Sequence, residues 1–97
     1  MARLGQNFLK SKAIAKRMAD EAGIKKGDAV LEIGPGRGIL TEELLKKSGK
    51  VIAVEKDPEL FNFLNQKFAA EEKSGKLVLI RADIRDVLKF PKRYSLY

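Results

Sequence analysis

The sequence predicts an open, parallel α/β sheet: one half of a doubly wound fold. Three short apolar runs, at residues 29–33, 51–54 and 77–80, have strand length and a β-branched share. Segments with helical periodicity separate them, and a glycine-rich turn follows the first. Strands alternating with helices of this length call for right-handed crossovers and parallel pairing, here in the order 3-2-1 with flanking helices.

Each element has its own local reason. Ser11 can cap a helix running to about Ala22, with Ile14, Ala15, Met18, Ala19 and Ala22 on its inner face and Gly23 to end it. Residues 29–33 form the first strand, apolar on both faces at Val30, Leu31 and Ile33 as a central strand requires. After the glycine turn, a helix from Ile39 to Lys47 turns Ile39, Leu40, Leu44 and Leu45 inward, with Glu42–Lys46 and Glu43–Lys47 as i,i+4 pairs. Gly49 can terminate it, and residues 51–54 form the second strand. Asp57 then caps a third helix that has Pro58 at its first position. That helix turns Leu60, Phe61, Leu64 and Phe68 inward and ends before Gly75. Residues 77–80 form the third strand, and a fourth can begin at residues 94–97, on the far side of the first.

The bulk composition sets limits. Ninety-seven residues suffice for one domain, and a 44% hydrophobic fraction with eight glycines and three prolines reads as globular. No apolar run approaches the roughly 18 residues of a membrane span, and no apolar segment of a secretory signal follows the N-terminal charge. With neither cysteine nor histidine, disulfides, thiol nucleophiles and the commonest metal ligands are excluded, and no metal site is expected. A cytoplasmic protein fits this composition. The net charge of +7, from 20 basic and 13 acidic residues, favours a polyanionic partner such as nucleic acid, with plain solubility as the alternative.

The chemistry concentrates where strands end. Glu32-Ile33-Gly34-Pro35-Gly36-Arg37-Gly38 carries the chain from the first strand into the second helix. Glycines there permit positive φ and a close backbone approach to a ligand, although many α/β folds need glycine at this turn for packing alone. Spacing separates the candidate ligands. A dinucleotide fingerprint is Gly-x-Gly-x-x-Gly, whereas these glycines stand at 34, 36 and 38 and residue 39 is isoleucine. The proline in the loop and the acid two residues before it also suit S-adenosylmethionine better than a pyrophosphate. Glu55 ends the second strand, where an acid can grip ribose hydroxyls or simply be solvated. Asp83 follows the third strand at the same edge and can accept from an exocyclic amine; nearby Asp86 has a capping or surface role as its alternative.

One further element identifies a family. Leu4-Gly5-Gln6-Asn7-Phe8-Leu9, taken with residues 32–38, 51–57 and 82–84, resembles the rRNA adenine dimethyltransferases. These include small-subunit dimethyladenosine transferases and macrolide-resistance rRNA methylases. The resemblance implies a Rossmann-like S-adenosylmethionine-dependent methyltransferase fold, with residues 1–10 as an arm over the cofactor and 11–97 as the core. It assigns Asn7 and Leu9 to the methionine end of S-adenosylmethionine, Gly34 and Gly36 to the loop, Glu55 to the ribose and Asp83 to the adenine, with Ile84 as a further cofactor-binding residue. Phe8 and Leu9 can equally anchor the arm.

The departure from the family pattern matters as well. Its catalytic Asn-(Leu/Ile)-Pro-(Tyr/Phe) element follows the fourth strand and holds a flipped-out adenine. None of Asn7, Asn62 and Asn65 is followed by x-Pro-aromatic, so no catalytic residue is assigned and the 97 residues alone are expected to bind cofactor without turnover. A standalone cofactor- or RNA-binding module and part of a small-molecule methyltransferase are the rival readings. Arg3, Lys10, Lys12, Lys16 and Arg17, with Lys89, Lys92 and Arg93 near the end, can contact rRNA phosphates or be merely solvated. The expected partner is rRNA of the ribosomal small subunit or its precursor, without a membrane. The outer edge of the first strand is expected to recruit a second copy of the chain or to be covered by the C-terminal tail.

Overall fold

The computed structural model describes residues 11–83 and 85, and the backbone of 95–96. Along the chain come α1 (Lys12–Glu21), β1 (Ala29–Ile33), α2 (Ile39–Lys47), β2 (Lys50–Val54), α3 (Pro58–Lys67), α4 (Ala69–Ser74), β3 (Leu77–Ile80) and β4 (Ser95–Leu96). The strands form one parallel sheet in the order β3-β2-β1-β4. Ala29 to Ile33 pair with Lys50 to Val54, and Val51 to Val54 pair with Leu77 to Ile80. At Val30 and Leu31 the far edge of β1 is taken by Ser95 and Leu96, on the side where a fourth strand is predicted. No described helix is long and apolar enough to cross a membrane.

The alternation of side chains along a strand divides the core between the two faces of the sheet. Val30, Val51, Ala53 and Leu77 join Ala15, Ala19, Leu40, Leu44, Leu64 and Phe68 in the larger cluster, under the helices. Leu31, Ile52 and Val54 gather on the opposite face with Ile33, Val78 and Ile80. Leu44 and Leu64 lose all contact with solvent, a burial that stabilises by about 2–3 kcal/mol each.

Helix ends follow the local rules. The Ser11 hydroxyl accepts from Ile14 N at 3.4 Å, and Asp57 Oδ1 accepts from Glu59 N and Leu60 N at 2.8 and 3.1 Å. Four details differ from the sequence-based expectation. Met18 is 43% exposed, because α1 meets its neighbours through the small side chains of Ala15 and Ala19. The third helix is not continuous to Gly75: at Phe68 (φ −112°, ψ 30°) it bends into α4, which keeps the Phe68 ring buried against the glycine turn. On α3, Leu64 is buried while Leu60 and Phe61 are half-buried, and Phe63 also lies against the core. The acids of α2 choose other partners: Glu43 pairs with Lys46 at 3.1 Å, Glu42 with Lys67 at 3.0 Å, and Lys47 reaches Asp20 on α1.

Candidate functional site

Both β1 and β2 overrun their last paired residues, and this builds the site. Gly34 N donates to Val54 O, and Glu55 N donates to Ile80 O, each at 2.9 Å. These bonds hold the first residue of the glycine loop and the Glu55 backbone level with each other at the carboxyl end of the sheet. Gly34, Gly36 and Gly38 adopt φ of 66°, 60° and 83°, a left-handed run that any side chain would oppose. Gly36 N donates to Glu55 Oε1 at 3.2 Å, and Asp57 N donates to Oε2 at 3.0 Å. The Glu55 carboxylate is thus buried, at 3% exposure, yet each oxygen keeps a lone pair beyond the one the backbone uses.

The loop itself is closed by Gly38 N donating to Pro35 O at 2.9 Å. All three loop glycines therefore spend their N–H groups within the chain, where a dinucleotide loop would offer them to a pyrophosphate. The chemistry at this edge is that of carboxylate acceptors, which suit hydroxyl and amine donors.

A second buried acid lies beneath the loop. Glu32, 2% exposed, accepts from Thr41 Oγ1 at 2.6 Å, which ties β1 to the first turn of α2. Burial pushes its carboxyl up to about 7; the Thr41 hydroxyl opposes the shift, and the Glu55 charge adds to it. Asp83 behaves in the opposite way. Its Oδ1 accepts from the Nε and the backbone N of Arg85 at 3.0 and 2.9 Å, and its Oδ2 from Nη2 at 3.2 Å. The Arg85 guanidinium, helped by that residue's backbone N–H, holds the Asp83 carboxyl down at about 2, so it remains an acceptor at any physiological pH.

Among the candidates named from sequence, Gly34 and Gly36 bond to Val54 O and the Glu55 carboxylate at one strand end, and Asp83 follows the end of β3, whose Ile80 O accepts from Glu55 N. Asn7, Leu9 and Ile84 fall outside the described residues, as do Arg3, Lys10, Asp86, Lys89, Lys92 and Arg93. Of the basic residues on α1, Lys12 is exposed, whereas Lys16 pairs with Asp20 at 3.2 Å and Arg17 with Glu21 at 3.8 Å. A groove of about 480 Å³ beside α2 and α4, lined by Leu45, Lys46, Phe68 and Lys76 among others, contains none of the acids Glu32, Glu55 and Asp83.

Sequence reasoning missed two contributors. The Glu32–Thr41 bond had a signal, since an acid inside an otherwise apolar strand needs a partner. Lys67, which donates to Arg37 O at 2.8 Å from 30 residues away, had none.

The comparisons with known proteins agree with this architecture. Residues 1–95 match the family described as Ribosomal RNA adenine dimethylase. The chain is 51% identical over 81 residues to "Ribosomal RNA small subunit methyltransferase A" of Magnetococcus marinus, covering 84% of this chain and 28% of that protein. It is 40% identical over 80 residues to "Dimethyladenosine transferase" of Schizosaccharomyces pombe, covering 82% and 26%. Among solved structures, a dimethyladenosine transferase from Plasmodium falciparum superposes with a TM-score of 0.70 at 32% identity, over 87% of this chain and 30% of that one. The 23S rRNA methyltransferase ErmE does so with a TM-score of 0.69 at 31% identity, over 77% and 30%. The chain thus spans between a quarter and a third of the length of these proteins, and its fold is the Rossmann-like fold of S-adenosylmethionine-dependent methyltransferases. A sheet ordered β3-β2-β1-β4, a left-handed glycine loop tied to a buried strand-end glutamate, and a family match across nearly every residue lead to one assignment: the chain belongs to the ribosomal RNA adenine dimethylase family.

Proposed function

We propose that these 97 residues are the S-adenosylmethionine-binding part of an enzyme that dimethylates adenine N6 in small-subunit rRNA. The observation that carries the reading is the Glu55 carboxylate, buried at the end of β2 and oriented by Gly36 N and Asp57 N with acceptor capacity to spare. The donor set of the cofactor fits these residues. Ribose hydroxyls suit Glu55, the exocyclic amine of adenine suits the ionised Asp83, and Gly34 and Gly36 allow close approach. Ile84 is a further cofactor-binding residue, and Asn7 and Leu9 of the arm cover the methionine end. When bound, the cofactor supplies an electrophilic methyl on its sulfonium; the protein's part is position and electrostatics.

By themselves, these residues bind cofactor without turnover, because none of them forms the Asn-x-Pro-aromatic element that holds the target amine. The name of the Magnetococcus marinus relative favours the small subunit as the source of the RNA. RNA contact runs through Arg3, Lys10 and Lys12, with Lys16 and Arg17 contributing less because Asp20 and Glu21 already compensate them. Photocrosslinking with methyl-labelled S-adenosylmethionine tests the reading. Label should enter the chain, fall sharply in Glu55→Ala and never pass to small-subunit precursor RNA. An unlabelled wild-type chain would refute the cofactor assignment, and labelled RNA would refute the lack of turnover.

A further inference from the structure

The glycine loop is held from two sides, and only one belongs to the cofactor edge. On the inside Glu55 takes Gly36 N. On the outside Lys67, the last residue of α3, donates to Arg37 O at 2.8 Å and pairs with Glu42 at 3.0 Å. Its ammonium lies 5.8 Å from the centroid of the Phe63 ring and 5.4 Å from that of Phe68, while the Arg37 guanidinium sits over Phe63 at 4.6 Å. The Lys67 ammonium is already matched by Glu42, so it is poorly placed as a free contact for RNA phosphate.

Within the turn itself, one backbone bond, Gly38 N to Pro35 O, closes the loop. Gly38 caps α2 without a side-chain hydrogen bond. A Cβ there would stand 2.5 Å from Phe68 Cε2, so no residue with a capping side chain fits. With glycine on one side, the peptide between Arg37 and Gly38 is held only by Gly38 N donating to Pro35 O once its carbonyl loses its partner. Rotation of that peptide would carry Gly38 N away from Pro35 O and disturb the neighbouring Gly36 N that orients Glu55.

We propose that Lys67 is a positioning residue for the cofactor loop, fixing the Arg37 carbonyl from outside so that the turn keeps Glu55 aimed at its ligand. The proposal rests on S-adenosylmethionine binding at this edge. The test is calorimetric titration of the whole chain with S-adenosylhomocysteine, alongside amide spectra and melting of the ligand-free protein. Lys67→Met keeps the apolar stem over Phe63 and Phe68 but removes the donor. It should weaken binding about 5- to 30-fold, the loss of one charge-assisted hydrogen bond, and shift the Gly36 and Gly38 amides. Lys67→Arg, which keeps a cationic donor, should restore most of the affinity. Glu42→Gln removes the ion pair but leaves Arg37 O its donor, so it should change affinity about twofold or less. If Lys67→Met does not fold, Lys67→Gln is held to the same outcome. Unchanged affinity with unmoved Gly36 and Gly38 amides in the Lys67 variants would overturn the proposal, as would equal losses in Glu42→Gln. A wild-type chain that does not bind would instead overturn the cofactor reading, and with it any positioning role.

Discussion

Thr41, in the first turn of α2, donates its hydroxyl hydrogen to Glu32 on β1 at 2.6 Å, and both side chains are shut away from solvent. This one bond spans the glycine loop from the strand that enters it to the helix that leaves it. It also sits on a carboxyl whose pKa has risen from the ordinary 4.5 to about 7, mainly through burial. Between those values the folded chain holds a proton that the unfolded chain has lost. The stability that Glu32 contributes is therefore full below pH 4.5 and is lost as pH rises to 7, by up to about 3 kcal/mol. Glu72, raised by partial burial, acts in the same direction. Urea denaturation between pH 4.5 and 8 should show this decline, and Glu32→Gln should remove most of it. A Glu32→Gln curve parallel to the wild type would refute the assignment.

At Gly38 the need for glycine is steric as well as torsional. Its φ is +83°, and an added Cβ would strike the Phe68 ring at 2.5 Å. Gly38→Ala should destabilise the chain by roughly 2–4 kcal/mol, combining left-handed strain with overpacking. Thermal melting of Gly38→Ala beside Gly23→Ala separates the two terms, because Gly23 has φ +71° but open space around its Cβ position. Equal losses at the two sites would mean that the Phe68 contact contributes nothing.

Asp20 compensates two cations, Lys16 on its own helix and Lys47 on α2, and both hold its carboxyl below the usual aspartate range. Asp20→Asn frees them. If the basic arm and α1 contact RNA, this variant should bind single-stranded RNA more tightly at low salt and show a steeper salt dependence. Filter binding from 50 to 200 mM salt measures both. Unchanged or weaker binding would place the RNA contacts elsewhere.

The fold was largely legible in the sequence because its signals are local. Strand runs, the Ser11 and Asp57 caps and the glycine loop each depend on residues within a few positions, and each stands where expected. Glu55 was legible because its position at a strand end is itself local. What stayed hidden depends on residues far apart in sequence. The bend at Phe68 follows from a glycine 30 residues earlier, and Lys67 abandons its own helix surface for Arg37 O and Glu42. Met18 has the right periodicity for burial, yet α1 packs through alanines. The i,i+4 pairs expected on α2 gave way to Glu43–Lys46 at i,i+3 and to reaches from Glu42 to Lys67 and from Lys47 to Asp20 on neighbouring helices.

We propose that a glycine loop with its own N–H groups satisfied, beside the buried Glu55, selects an S-adenosyl ligand over a dinucleotide. Isothermal titration of the chain with S-adenosylhomocysteine and with NAD tests it most directly. Saturable heat is expected with the former and none with the latter, with a loss of about 1–3 kcal/mol in Glu55→Ala. Equal affinity for NAD, or undiminished binding in Glu55→Ala, would contradict it.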